Sequence, residues 1–257
     1  MRINRTVVAI IAVATSAAAL PAAADTRIEY VDERTGKTQS VLSIRGNEAR
    51  MDSAGDTGYT LFDAGNGALT IVNPRERTFT VMDEASMNAM SRQVASAMAE
   101  MRAQLDQMPP EQRAMVEKMM GGMGNAGKSM LETKVERTGR IMTRAGYDCE
   151  QVFFSVGNVS RTELCVVDAG EIEMPDADRA TLNAMHAAMR AMAENMMSNF
   201  GMESAPDMEA LGGMPVYTKH SNEESGEVLK SVTHDGIDAS LFTIPDGYRE
   251  EKLQAGK

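Results

Sequence analysis

The sequence predicts an α+β protein, an antiparallel sheet interrupted by two helical excursions. Three observations carry that prediction. Apolar residues alternate with polar ones from Thr26 to Met82, the period of a half-buried strand. From Met87, and again from Leu182, apolar residues instead recur at spacings of three and four, the stripe of a helix. Alternation returns around Cys149 and Cys165 and once more from Val216.

Ahead of these elements stands a segment that reads as an export signal. Arg2 and Arg5 make a positive start, Thr6 to Leu20 is uncharged and mostly apolar, and Pro21 precedes the small residues Ala22-Ala23-Ala24. The apolar run is shorter than the roughly 20 residues a membrane-spanning helix needs. Cleavage after Ala24 is expected to leave 233 of the 257 residues as a soluble bacterial periplasmic protein, forming one domain over 25–257. No cysteine lies near the cleavage site to carry a lipid anchor.

Strands are expected at Ile28–Tyr30, Leu42–Ile44, Ala49–Met51, Tyr59–Phe62, Leu69–Val72 and Thr78–Val81. Thr35-Gly36-Lys37, Gly46-Asn47, Gly65-Asn66-Gly67 and Asn73-Pro74 supply the turns between them, Asn-Gly being a strong hairpin signal because it tolerates positive φ. The first helical excursion is placed at about 84–120. Asp83 is its N-cap, with Met90, Val94, Met98, Met101, Leu105 and Met108 on one face. Pro109-Pro110 breaks it, and Met115, Val116, Met119 and Met120 line a second, shorter helix. Strands then resume near Met130 and continue to about Met174. The second excursion is placed at about 177–200, with Leu182, Met185, Met189, Met192 and Met196 as its stripe. A final set of strands is expected from Val216 to Phe242.

The two cysteines suit an oxidising compartment. Strand-like Val152-Phe153-Phe154 and Leu164 to Val167 flank Gly157-Asn158, and Gly157 lies midway between Cys149 and Cys165. A hairpin closed symmetrically there sets the cysteines directly opposite each other, within reach of a disulfide. Closing a loop of this size contributes about 3 kcal/mol in the chain-entropy account.

Charge narrows the function. Without Arg2 and Arg5 the 26 basic residues become 24, against 37 acidic ones, a net charge of −13. That balance disfavours nucleic acid and anionic membrane surfaces, which attract basic patches. Gly122 to Ser129 matches the phosphate-loop pattern G-x-x-x-x-G-K-[ST]. The chemistry of that loop requires a strand before it and a helix after it, whereas here a Met-rich helix precedes and a strand pattern follows, so it reads as a Gly-rich connector. His186, His220 and His234 show no ligand spacing and read as solvent-facing. No G-x-S-x-G elbow is present, and the carboxylates are scattered. An enzyme is not expected, nor a bound cofactor.

The chain contains 23 methionines and no tryptophan, and the methionine stripes have two readings. Thioethers select Cu(I), so Met87, Met90, Met98 and Met101, or Met185, Met189 and Met192 with His186, are possible copper ligands. Methionine is also an adaptable coat for an apolar helix face, which would cover the sheet or line a pocket.

Three stretches resemble a known family. Tyr59 to Asp63 with Leu69 to Pro74 and Thr78 to Met82, then Thr138-Gly139 with Ala145-Gly-Tyr-Asp-Cys149, and finally Leu241-Phe-Thr-Ile-Pro-Asp-Gly-Tyr248 are similar to the exported family of domain of unknown function 4412. That family looks related to the lipoprotein carriers LolA and LolB. The resemblance implies an open antiparallel half-barrel whose concave face is closed by the Met-rich helices, and it brings no binding residues with it. Together these readings predict a non-enzymatic periplasmic protein that binds a lipid, an acyl chain or a lipoprotein segment. Its pocket would be lined by Met87, Met90, Val94, Met98, Met101, Leu105, Met185, Met189, Met192 and Met196. Cu(I) binding and docking of a protein partner in the envelope are the alternatives.

Overall fold

A computed structural model describes residues 25–55, 58–107, 109, 133–156, 160–199 and 211–252. The export signal, the second short helix, the Gly-rich connector and the tip of the cysteine hairpin lie outside the described residues. So do the side chains of Met98 and Met196.

Six strands form the first meander: β1 (Thr26–Asp32), β2 (Thr38–Arg45), β3 (Glu48–Ser53), β4 (Tyr59–Asp63), β5 (Ala68–Asn73) and β6 (Thr78–Met82). The four expected turns, at Gly36, Gly46-Asn47, Gly65-Asn66-Gly67 and Asn73-Pro74, connect strands as placed. Gly67, at φ +67°, closes the β4–β5 hairpin by donating from its amide to the Asp63 carbonyl at 2.8 Å. Helix α1 (Glu84–Asp106) follows at once. Asp83 caps it reciprocally: Asp83 accepts from the Ser86 amide at 2.7 Å, and Ser86 Oγ accepts from the Asp83 amide at 2.9 Å, the geometry of a capping box.

Next come β7 (Thr133–Arg144), β8 (Tyr147–Val156) and β9 (Ser160–Val167), then α2 (Asp176–Asn199), β10 (Met214–His220) and β11 (Glu227–Thr233). A 3-10 turn at Ala239–Phe242 leads to the two-residue β12 (Arg249–Glu250). Two expected strand boundaries are corrected. β9 stops at Val167, because residues 168–175 are held instead by Arg179, which donates to the carbonyls of Ala169, Ile172 and Met174. The last long strand stops at Thr233. Beyond it Asp25 accepts from the Ile237 amide at 2.7 Å, and Asp238 caps the 3-10 turn.

The strands make one open sheet in the order β12-β6-β5-β4-β3-β2-β1-β11-β10-β9-β8-β7. All neighbours are antiparallel except β12 and β6. The chain runs outward from β1 to one edge, crosses to the other edge at β7, and returns inward until β11 pairs with β1. Helix α2 packs on β2 and β3, and α1 on α2 and β6. One face of the sheet is therefore helix-covered. The other carries the closing segment, with Phe242 buried and the 3-10 turn against β3. On that second face, at the β8–β9 end, Leu211 packs on Val152, Leu164 and Val166.

Cys149 and Cys165 are bonded, with their Cα atoms 5.3 Å apart. The expected register is corrected by one step. Gln151, not Cys149, pairs with Cys165, and Val156 pairs with Ser160, so the hairpin is centred on Asn158. Moving the centre by one residue shifts each pairing by two, which keeps both cysteines on one face. The disulfide bridges the diagonal of the ladder rather than a directly opposed pair. Both sulfurs are buried on the helix-covered face with Ile28, Ile172 and Leu229.

Candidate hydrophobic binding face

Residues paired across neighbouring strands share a face, so the register defines rows. One row runs Thr26, Ile44, Ala49, Phe62, Leu69, Met82, and the next runs Ile28, Leu42, Met51, Thr60, Ile71, Thr80. Ile44, Ala49, Phe62 and Leu69 touch Leu182 and Met185 of α2, which identifies these rows as the floor beneath the helices. None of the twelve residues is charged. Arg27, Glu29, Arg45, Glu48, Arg50, Asp52 and Asp63 all fall in the alternate rows, on the opposite face.

The predicted lining residues divide by burial. Met87 and Met185 are buried, at 4% and 5% exposure, and act as core. Met192 packs partly buried on the same floor, and Met90, Val94, Met101 and Leu105 are half-buried along α1. Met189 stands out from α2 at 42% exposure. Sequence reasoning missed the floor itself: Ile71, on the covered face, is 46% exposed, whereas Leu69 two positions earlier is 4% exposed. The sheet's apolar floor therefore extends past the cover that α2 provides.

α2 is fixed to the sheet at its start by polar contacts. The Thr26 hydroxyl donates to Asp178 Oδ2 at 2.5 Å and lies 3.5 Å from His234 Nδ1. One turn on, the Thr181 hydroxyl donates to the Gly46 carbonyl at 2.6 Å. Burial pushes the Asp178 carboxyl above its ordinary range. Its bond from Thr26 opposes that, and the nearby Asp25 carboxylate adds to it. A hydroxyl, a carboxylate and an imidazole thus meet, a grouping that spacing along the chain does not reveal. Thr26 is fully buried, so this hydroxyl is closed to a substrate and serves to pin β1 to α2. All three histidines have exposed residue surfaces, and His220 meets the Thr162 hydroxyl at 2.9 Å. Among the described residues, no group of three or more His, Cys, Asp or Glu side chains is placed to hold a metal ion.

The opposite face is closed by an arginine. Arg50 donates through Nε and Nη2 to the two carboxylate oxygens of Asp52 at 2.8 and 2.7 Å, and through Nη1 to the Leu241 carbonyl at 3.0 Å. Its guanidinium also stacks 3.6 Å from the Tyr59 ring centroid. Further on, the Arg249 and Glu251 amides donate to the Arg77 and Phe79 carbonyls, which fastens the chain end along β6.

The model of one family, described as a domain of unknown function (DUF4412), matches residues 84–248. The chain belongs to the DUF4412 family. The match begins at the first helix and ends on Tyr248, so it takes in α1, the disulfide hairpin and the closing segment; the strand motifs from Tyr59 to Met82 precede it. Two of the resembling stretches acquire roles in the DUF4412 fold. Ala145 and Gly146, at φ +54° and +84°, form the tight turn before Tyr147 and Cys149, and Leu241 to Tyr248 is the segment held by Arg50 and Arg77. Comparison with curated proteins gives no match. No helix among the described residues is long and apolar enough to cross a membrane.

Proposed function

We propose that this DUF4412 protein is a non-enzymatic binding protein of the bacterial periplasm, exported by cleavage after Ala24. It holds a lipid, an acyl chain or the lipidated segment of a protein between the helices and the sheet. One observation carries this reading: the two floor rows running from Thr26 to Met82 and from Ile28 to Thr80 bear no charge, and apolar surface at Ile71 and Met189 stays open to solvent. Charged side chains make up 25% of the sequence, so a charge-free tract of this size favours an apolar occupant over water. The open antiparallel sheet with helices on one face also fits a lipoprotein-carrier architecture like that of LolA and LolB, in which a curved sheet surrounds the ligand. Organic extraction of the purified mature protein, analysed by mass spectrometry, is expected to yield a bound lipid. No extracted lipid and no uptake of a fluorescent fatty acid would refute the reading.

Cu(I) binding is the second reading, and a different observation favours it. His186 and Met189 lie three positions apart on α2 with exposed residue surfaces, a spacing that sets side chains on adjacent helical positions. Anaerobic titration with Cu(I) separates the two readings. Stoichiometric uptake that Met189→Leu and His186→Ala abolish would support copper; its absence would leave these residues to the lipid-binding face.

A further inference from the structure

Resting on the lipid-binding reading above, we infer that the site selects lipids with an uncharged head group, of the acylglycerol type, over fatty acids and anionic phospholipids. The basis is the grading of the covered face. Its first row is apolar apart from Thr26, whose hydroxyl is bound to Asp178. Its second row, where the floor emerges from beneath the helices, sets Thr60 and Thr80 on either side of Ile71. Beyond this the register brings Tyr30, Ser40 and Ser53 into line at one end and Asn73 and Thr78 at the other. Over these three rows apolar surface thus passes into hydroxyl and amide surface, and the charge that follows at the β1 end, Asp32 paired with Glu227, is acidic.

The uncovered part of this floor suits an acyl chain over Ile71, with ester and hydroxyl groups near Thr60 and Thr80. A carboxylate or phosphate at the same place would give up hydration and find no cation on the floor, and an uncompensated charge is costly to desolvate. Arg50, whose strand neighbour Met51 pairs with Thr60, is turned to the opposite face and held by Asp52 and the Leu241 carbonyl. On α2, Arg179 is engaged with three backbone carbonyls.

The test uses the delipidated mature chain loaded with Nile red, a neutral probe whose emission reports an apolar site. Monooleoylglycerol, oleate and lysophosphatidylglycerol are then titrated separately, below their micellar concentrations and at about pH 8. Monooleoylglycerol is expected to displace the probe at about tenfold lower concentration than either anion, the penalty of an unpaired charge. Thr60→Lys, which introduces a cation on the floor, is expected to improve displacement by oleate and narrow that ratio. Equal or better displacement by oleate or lysophosphatidylglycerol from the unaltered protein would overturn the head-group inference while leaving lipid binding intact. Failure of Nile red and all three lipids to bind would overturn both.

Discussion

The hydroxyl of Thr26 donates to Asp178 at 2.5 Å, joining the first strand to the first turn of α2 across 152 positions of sequence. Both residues are buried, Thr26 fully and Asp178 to 2% exposure. The contact sets where α2 begins on the sheet, and with it which floor residues lie under Leu182 and Met185. It also makes the helix attachment responsive to pH.

Asp178 holds its proton more tightly in the folded protein than in the unfolded chain, chiefly because it is buried. The stability this contributes is complete below the ordinary carboxylate range and is lost as pH rises through the raised folded value. Asp178→Asn keeps an acceptor for Thr26 and never ionises. Its stability relative to the unaltered protein is therefore expected to climb as pH rises from about 4 to 7. Urea midpoints across that range check this; a difference that stays constant with pH would contradict it.

The bridge between Cys149 and Cys165 closes a loop of sequence separation 16. Replacing both cysteines by serine is expected to lower unfolding stability by about 3 kcal/mol, mostly through the unfolded chain. Reductant should lower the denaturation midpoint of the unaltered protein and leave that of the double variant unmoved.

Arg50 secures the closing segment through a fork that lysine does not reproduce. Arg50→Lys keeps the charge but gives up the paired bonds to Asp52 and the stacking on Tyr59. A loss of about 1.5–3 kcal/mol is expected, the range for a hydrogen bond to a charged group. Hydrogen exchange should quicken at the Arg249 and Glu251 amides and remain unchanged in α2.

Met185 and Met189 lie four positions apart on α2 and are expected to respond oppositely. Met185 is in the core, so Met185→Ala should cost about 2–5 kcal/mol. Met189 is exposed, so Met189→Ala should change stability by no more than about 0.5 kcal/mol yet weaken lipid binding. Denaturation curves paired with Nile red titrations separate the two roles.

Much of this was legible along the chain. The Asp83 cap needed only its own neighbours, since a capping box is closed within four residues. Met87 and Met185 could be assigned to apolar helix faces because a helix repeats every 3.6 residues whatever it packs against. The strand boundaries at Val167 and Thr233 were less visible. They depend on Arg179 and Asp25 reaching carbonyl and amide groups supplied by other elements. Leu69 and Ile71 show the limit for the site: both are apolar and in phase on one strand, yet one is covered and the other open.

Alternation and helical spacing are properties of a segment's own side chains, so the sequence by itself determined the strands of the first meander, the two apolar helix faces and the cysteine pair. Tertiary structure alone decided that β11 returns to pair with β1, that the disulfide runs diagonally, and that Arg27, Glu29, Arg45, Glu48, Arg50, Asp52 and Asp63 fall on the face away from the helices. Local spacing says which residues share a side of a strand. Which side is covered, and how far the cover reaches, follows from where distant segments can bury their own apolar faces while satisfying groups such as Asp178 and Arg50.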